Sequence, residues 1–190
     1  MKVQNLIASK VGAALGKGKP NVVALFASSV IQSIKENESD ELQTKNIDTM
    51  APDKQAYYMS LALREVKNIV EVANFNLEGA LSMGKPLVSN MYFGREGGAQ
   101  IEVHVPFEME VQGEDFTNVS NAFSLELRKE YAELVTYTVK LPTAAKPSVA
   151  VDLTLNMPSA LCQSIGADKF DSRTKVLQKY VEGLLKKELA

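Results

Sequence analysis

The feature that most constrains the fold is a strict alternation of apolar and polar residues that begins at Ile101. Side chains of a β-strand point alternately to its two faces, so this pattern predicts a strand with one apolar face and one polar face. Such one-sided alternation is typical of an antiparallel sheet with one face covered. The apolar set is Ile101, Val103, Val105, Phe107, Met109 and Val111, and the polar set is Glu102, His104, Pro106, Glu108, Glu110 and Gln112.

Three further segments share the period of two and extend the predicted sheet. Residues 87–93 precede the first strand and reach it through Gly94–Gly98, a connection typical of a β-hairpin. Residues 135–141 and 149–157 follow it. We therefore predict a mostly antiparallel sheet of four to five strands over about residues 87–157.

The segment that precedes residue 135 fits two patterns. Phe123, Leu125 and Leu127 alternate as in a strand, whereas Leu127, Tyr131 and Leu134 have helical spacing. No capping or breaking residue separates this run from the next strand, so we favour a strand over 123–127.

Helical periodicity lies on both sides of the predicted sheet. A stripe follows the capping residue Asn21, a second helix is expected from about Pro52 to Ala73, and a long C-terminal helix from about Ser172 to Leu189. Helices segregated from an antiparallel sheet define an α+β fold. We divide the chain into an amphipathic basic segment, 1–20, and a single α+β domain, 21–190. The stripe of the first helix is Val22, Val23, Phe26, Val30, Ile31 and Ile34.

Composition agrees with one cytoplasmic globular domain. The chain has 190 residues, of which 45% are hydrophobic, and it has no apolar run long enough for a membrane-spanning helix. Cys162 is the only cysteine, so no internal disulfide can form, and this favours a reducing compartment.

Charge is distributed unevenly along the chain. Residues 1–35 contain five lysines and no acid, whereas residues 96–133 contain nine acids and two basic residues. The basic segment could bind an anionic membrane surface or an acidic protein surface, or its apolar residues could pack on the core. Nucleic acid is an unlikely partner, because the segment lacks arginine. Its candidate interaction residues are Lys2, Lys10, Lys17 and Lys19.

The polar face of the strand that starts at Ile101 is the second candidate interaction surface. Its members are Glu102, His104, Glu108 and Glu110. Glu102 and His104 could share a metal ion, but the required further ligands cannot be placed, so no metal site is predicted. Pro106 in the same row indicates an edge strand or a bulge, because proline cannot donate to a sheet ladder.

Two catalytic motifs are present only in part. Gly79 to Pro86 matches a phosphate-binding loop at its glycines and at Lys85, but Pro86 replaces the metal-binding hydroxyl. Ser82 lies outside a nucleophile elbow, and His104 would have to be its base. We therefore predict no catalytic residue and no cofactor.

These observations favour a non-enzymatic structural or assembly protein that forms a homo-oligomer, such as a phage or particle component. One alternative is a peripheral membrane or protein-binding adaptor that uses the basic segment. Another is a ligand-binding domain or enzyme whose site forms only in the fold. Asp152, His104 and the Gly94–Gly98 loop are where such a site would be sought. The sequence does not indicate a small-molecule ligand.

Overall fold

The computed structural model describes residues 46–109, 116–143, 145 and 148–190. Helices and strands alternate in groups, with short 3₁₀ turns at Ile47–Thr49 and Lys129–Tyr131. The architecture is α+β, as predicted. In chain order the elements are α1 (Pro52–Asn76), β1 (Leu81–Met83), β2 (Leu87–Phe93), β3 (Ala99–Met109), α2 (Phe116–Ala122), β4 (Val135–Lys140), β5 (Val149–Met157), α3 (Ser159–Ser164) and α4 (Arg173–Glu188).

Over the described residues the sheet is antiparallel and has five strands. β3 and β5 form its centre, β4 pairs with the far side of β5, and β1 and β2 both pair with the other side of β3. The register between the central strands runs from Ala99↔Met157 to Phe107↔Val149. The predicted strands at 87–93, 135–141 and 149–157 are therefore confirmed, with ends that agree to within a residue.

Pro106 does not mark an edge strand, because β3 lies in the middle of the sheet. On one side Pro106 pairs with Ala150 of β5, and on the other its carbonyl accepts a hydrogen bond of 2.8 Å from the Gly84 N–H. The carbonyl and the nitrogen of one strand residue point to the same side. The missing N–H therefore faces the interruption between β1 and β2, where no continuous ladder needs it.

The prediction of a strand over residues 123–127 is wrong. α2 ends at Ala122, and residues 123–128 have no regular secondary structure. Side chains, rather than a neighbouring strand, bind several backbone groups of this segment. Asn76 donates to the Ala122 carbonyl, Tyr137 Oη donates to the Leu125 carbonyl, and the Arg128 N–H donates to Glu65 Oε1 at 2.9 Å. Alternating apolar residues therefore pack on the core without joining the sheet.

α1 carries the largest helical contribution to the core. It begins at Pro52, where the missing N–H costs no intrahelical bond, and it ends three residues beyond the predicted Ala73. Glu78 and Gly79 then adopt positive φ angles of 57° and 82°, which stop the helix. α1 packs against α2, α3, α4 and β4. The covered face of the sheet thus lies on α1, and buried Ile101, Val103, Leu153 and Leu155 belong to the same core.

The predicted hairpin between β2 and β3 is confirmed. The Gly94 N–H donates to the Gly98 carbonyl at 2.8 Å. Gly97 has a φ of +95°, and a Cβ atom on Gly98 would lie 3.1 Å from the Met157 carbonyl oxygen. Both positions therefore favour glycine. Segment 1–20, the helix expected after Asn21, and Val111 lie outside the described residues.

Candidate functional site

The uncovered face of the sheet, here called the outer face, carries the polar side chains of β3 and its neighbours. Because side chains alternate along each strand, the even-numbered residues of β3, β4 and β5 all point to this face. The helices pack on the opposite face. The outer face includes Asn90 from β2, Glu102, His104 and Glu108 from β3, Asp152 and Thr154 from β5, and Thr136, Thr138 and Lys140 from β4.

A hydrogen-bonded pair occupies the centre of the outer face. His104 and Asp152 are directly opposite one another in β3 and β5, and His104 Nδ1 lies 2.6 Å from Asp152 Oδ1. A carboxylate can only accept, so Nδ1 is the donor and Nε2 is the nitrogen left for another partner. The two side chains are 46% and 39% exposed, so the pair is accessible from solvent.

Glu102 is anchored beside this pair. Asn90 Nδ2 donates to Glu102 Oε2 at 3.0 Å, and Ser89 Oγ donates to the Glu102 backbone carbonyl at 3.2 Å. On its other side Glu102 faces Thr154, which faces Thr136 in β4. A depression of about 370 Å³ is lined by Glu102, Thr154 and Thr136 together with Lys140 and the His104–Asp152 pair.

Three of the four residues predicted for the acidic strand face are brought together. Glu102, His104 and Glu108 lie on the outer face, while Glu110 lies outside the described residues. The structure adds Asp152 to this face. The sequence shows that Asp152 is a polar position of β5, but its pairing with His104 depends on the register between β3 and β5. The described part of the face therefore has three carboxylates, Glu102, Glu108 and Asp152, against the lysine of β4, Lys140. Lys2, Lys10, Lys17 and Lys19 also lie outside the described residues.

Metal binding and hydrolase chemistry gain no support from this geometry. In the described part of the chain, no group of three histidine, cysteine or acidic side chains could hold a metal ion. Ser82 faces Glu108 from β1, whereas His104 lies four residues further along β3. At the rise of a β-strand, that separation is about 13 Å, which is too far for His104 to act as the base of Ser82.

The segment that resembles a phosphate-binding loop connects α1 to the sheet. β1 begins at Leu81, within the segment, and the Leu81 N–H donates to Asn74 Oδ1 at 2.8 Å. A phosphate-binding loop is followed by a helix whose N-terminus faces the phosphate. Here the strands β1 and β2 occupy that place, in agreement with a helix-to-strand connector.

The groups with shifted pKa values lie on the helical side of the sheet. Burial raises the pKa of the Cys162 thiol and of the Tyr137 and Tyr180 phenols, and the negative charge of Glu126 adds to the effect at Tyr137. Burial alone would raise the pKa of Glu188, but the hydrogen bond and charge of Arg64 outweigh it, so the pKa is lowered. These groups are therefore remote from the outer face.

Among the described residues, no helix combines the length and apolar character needed to cross a membrane. Comparisons of the chain with protein-family models, with curated proteins and with solved structures gave no match.

Proposed function

We propose that this protein is a non-enzymatic assembly module, and that its outer face binds the basic N-terminal segment of a neighbouring copy. The observation that carries the proposal is the acidic character of the accessible outer face, centred on the His104–Asp152 pair. Its complement is present in the same chain, because residues 1–35 contain lysines and no acid.

The charges fit a contact between different surfaces of two copies. Glu102, Glu108 and Asp152 would attract Lys2, Lys10, Lys17 and Lys19, and such complementarity favours encounter and orientation more than raw affinity. A contact between two unlike surfaces repeats head to tail and builds either a closed ring or an open filament. The half-exposed side chains on the outer face keep this attraction sensitive to salt.

Light scattering during gel filtration tests the proposal. We expect a defined oligomer at low salt that dissociates at high salt, and a variant carrying Glu102→Lys and Glu108→Lys that remains a monomer at low salt. Glu182→Lys is the control for a reversed surface charge, because Glu182 is exposed on α4, away from the outer face. This variant should form the same oligomer as the wild type. A monomer of 20.8 kDa at every salt concentration would contradict the proposal.

A second candidate function is binding of a small polar ligand in the depression on the outer face. Its support is the convergence of His104, Asp152 and Lys140 with threonine hydroxyl groups in about 370 Å³. This set supplies donors and acceptors of both charge signs, as a zwitterionic or polyhydroxyl compound requires. Thermal-shift screening of amino acids and sugars, with His104→Ala as the comparison, would detect it. A ligand that raises the melting temperature of the wild type and of His104→Ala equally does not bind in this depression.

A further inference from the structure

A groove runs between α1 and α4 on the helical side of the protein. Its cavity volume is about 690 Å³, and its floor is apolar. Tyr57 on its wall is 51% exposed, although it is a large aromatic residue. Grooves between two helices accept the apolar face of a third helix. The apolar lining consists of Ala56, Tyr57, Ile165, Val176, Tyr180 and Leu184.

The rim of the groove is basic. Arg64, Lys179 and Lys187 line it, and Asp53 is the acidic residue among the lining groups. Arg64 is already bound to Glu188 through a hydrogen bond of 2.6 Å. Lys187 Nζ also lies 3.7 Å from Glu188 Oε1. The remaining lysine on the rim, Lys179 of α4, therefore supplies most of the positive charge that an acidic segment beside the groove would meet.

The described structure begins beside the first turns of α1. The Ile47 carbonyl accepts a hydrogen bond of 2.9 Å from Gln55 Nε2, and Gln55 is completely buried. Ile47 is thus fixed beside the first turns of α1, on the side that Gln55 faces, and the groove residues Asp53 and Tyr57 lie on the other side of this helix. Residues 36–46 can span up to about 35 Å when extended. The groove wall from Asp53 to Arg64 is about 17 Å long, so a segment that precedes residue 36 can reach all of it.

The sequence that precedes this entry point has the chemistry of an occupant. Residues 21–35 have a helical apolar stripe and a single charge, Lys35, so a helix formed there would need to bury one face. Its length would be about 22 Å, close to that of the groove. The acids Glu36, Glu38, Asp40 and Glu41 follow directly and complement the basic rim.

We propose that the groove between α1 and α4 is the docking site for residues 21–35 of the same chain. A tether of eleven residues gives the segment an effective concentration in the millimolar range, which favours this occupant over a second copy of the protein. The proposal stands independently of self-association. If residues 21–35 dock as proposed, the basic segment 1–20 projects from this site.

A tryptophan placed in the groove tests the proposal in the full-length protein. The chain has no tryptophan, so Tyr57→Trp introduces a single reporter on the groove wall. Adding Phe26→Asp to the apolar stripe should shift the emission to the red and increase quenching by acrylamide. Ser28→Asp adds the same charge on the opposite side of the predicted helix and should change neither. Equal emission from all three proteins would overturn the proposal.

Chemical cross-linking identifies the segment that occupies the groove, and it does so without a charge such as the one that Phe26→Asp introduces, which could unfold the protein. In a Cys162→Ser background, Val30→Cys and Tyr180→Cys should be joined within one chain by a short bismaleimide. Val30→Cys combined with Thr138→Cys on the outer face is the control and should not be joined. A cross-link between two chains would assign the groove to a second copy, and absence of any link would exclude the segment. Either result would overturn the proposal.

Discussion

Arg64 and Glu188 join the middle of α1 to the last turn of α4 through a charged hydrogen bond, with Arg64 Nε 2.6 Å from Glu188 Oε2. The Glu188 side chain is only 3% exposed, whereas that of Arg64 is 49% exposed. Burial removes the carboxylate from water, which costs free energy, and the hydrogen bond and charge of Arg64 outweigh that cost. Solvent around the guanidinium weakens the attraction. The pair therefore fastens the C-terminal helix to the rest of the fold.

We expect Glu188→Gln to reduce the free energy of unfolding by about 1–2 kcal/mol at neutral pH. Because the folded-state pKa of Glu188 is lowered, its stabilisation is complete above the unfolded pKa and is lost as pH falls through the folded value. The difference between wild type and variant should therefore shrink below a pH of about 4. Urea unfolding followed by circular dichroism measures it, with Glu182→Gln as the exposed control on α4. A difference that stays constant down to pH 3 would contradict the assignment.

We expect Glu65→Ala to destabilise the protein by about 2 kcal/mol, because the buried Arg128 N–H loses its acceptor. Glu65 Oε1 accepts this bond at 2.9 Å, and Glu65 and Arg128 are 2% and 6% exposed. Exchange of the Arg128 amide hydrogen should accelerate more than exchange in β5. Glu65→Gln keeps an oxygen at this position and tests the role of charge. Unchanged exchange at Arg128 in both variants would show that the bond does not hold the segment.

Cys162 should be protected from thiol reagents in the native protein. The side chain is buried, burial raises its pKa, and Sγ lies 3.8 Å from the Met157 carbonyl oxygen. Thiolate is the reactive form, so we expect the reaction to be at least about 100-fold slower in buffer than in urea. Cys162 is the only thiol, so the absorbance of a disulfide reagent reports it directly. Equal rates in both solutions would mean that α3 opens readily.

Gly97→Ala should destabilise the β2–β3 hairpin by about 1–2 kcal/mol, because residue 97 has a φ of +95° that an L side chain rarely adopts. Gly94→Ala is the matched control in the same loop, since a Cβ there would meet its nearest atom at 3.4 Å. Thermal unfolding of the two variants gives the comparison. A larger loss for Gly94→Ala would show that steric contact, and not backbone conformation, limits the loop.

The sheet could be predicted from the sequence because its one-sided burial appears directly as alternation. β3 and β5 have the clearest patterns, and these predict the start of β3 and both ends of β5 to within two residues. Residues 123–127 show where the argument fails. Phe123, Leu125 and Leu127 alternate and are partly buried, but Asn76, Glu65 and Tyr137 bind the backbone of their segment from other elements. Sequence periodicity reports which side chains are buried, and it does not report what the backbone bonds to.

The outer face could be predicted only in part for a related reason. Alternation shows that Glu102, His104 and Asp152 point away from the core, but the contact of His104 with Asp152 depends on the register between strands that are distant in sequence. The central position of Pro106 in the sheet could not be predicted from the sequence either. It depends on an interruption between β1 and β2 that forms only after both strands have paired with β3.

The strand order also determines when each strand can pair while the chain is being synthesised. β3 and β5 share the longest ladder of the sheet, yet residues 110–148 must be made between them. Until β5 leaves the ribosome, β3 can pair only with β1 and β2, and its other edge has no partner strand. Long-range pairing of this kind is slow, and the unpaired edge of β3 makes the nascent chain prone to aggregation. Slower translation across residues 110–148 should therefore increase aggregation of the nascent chain.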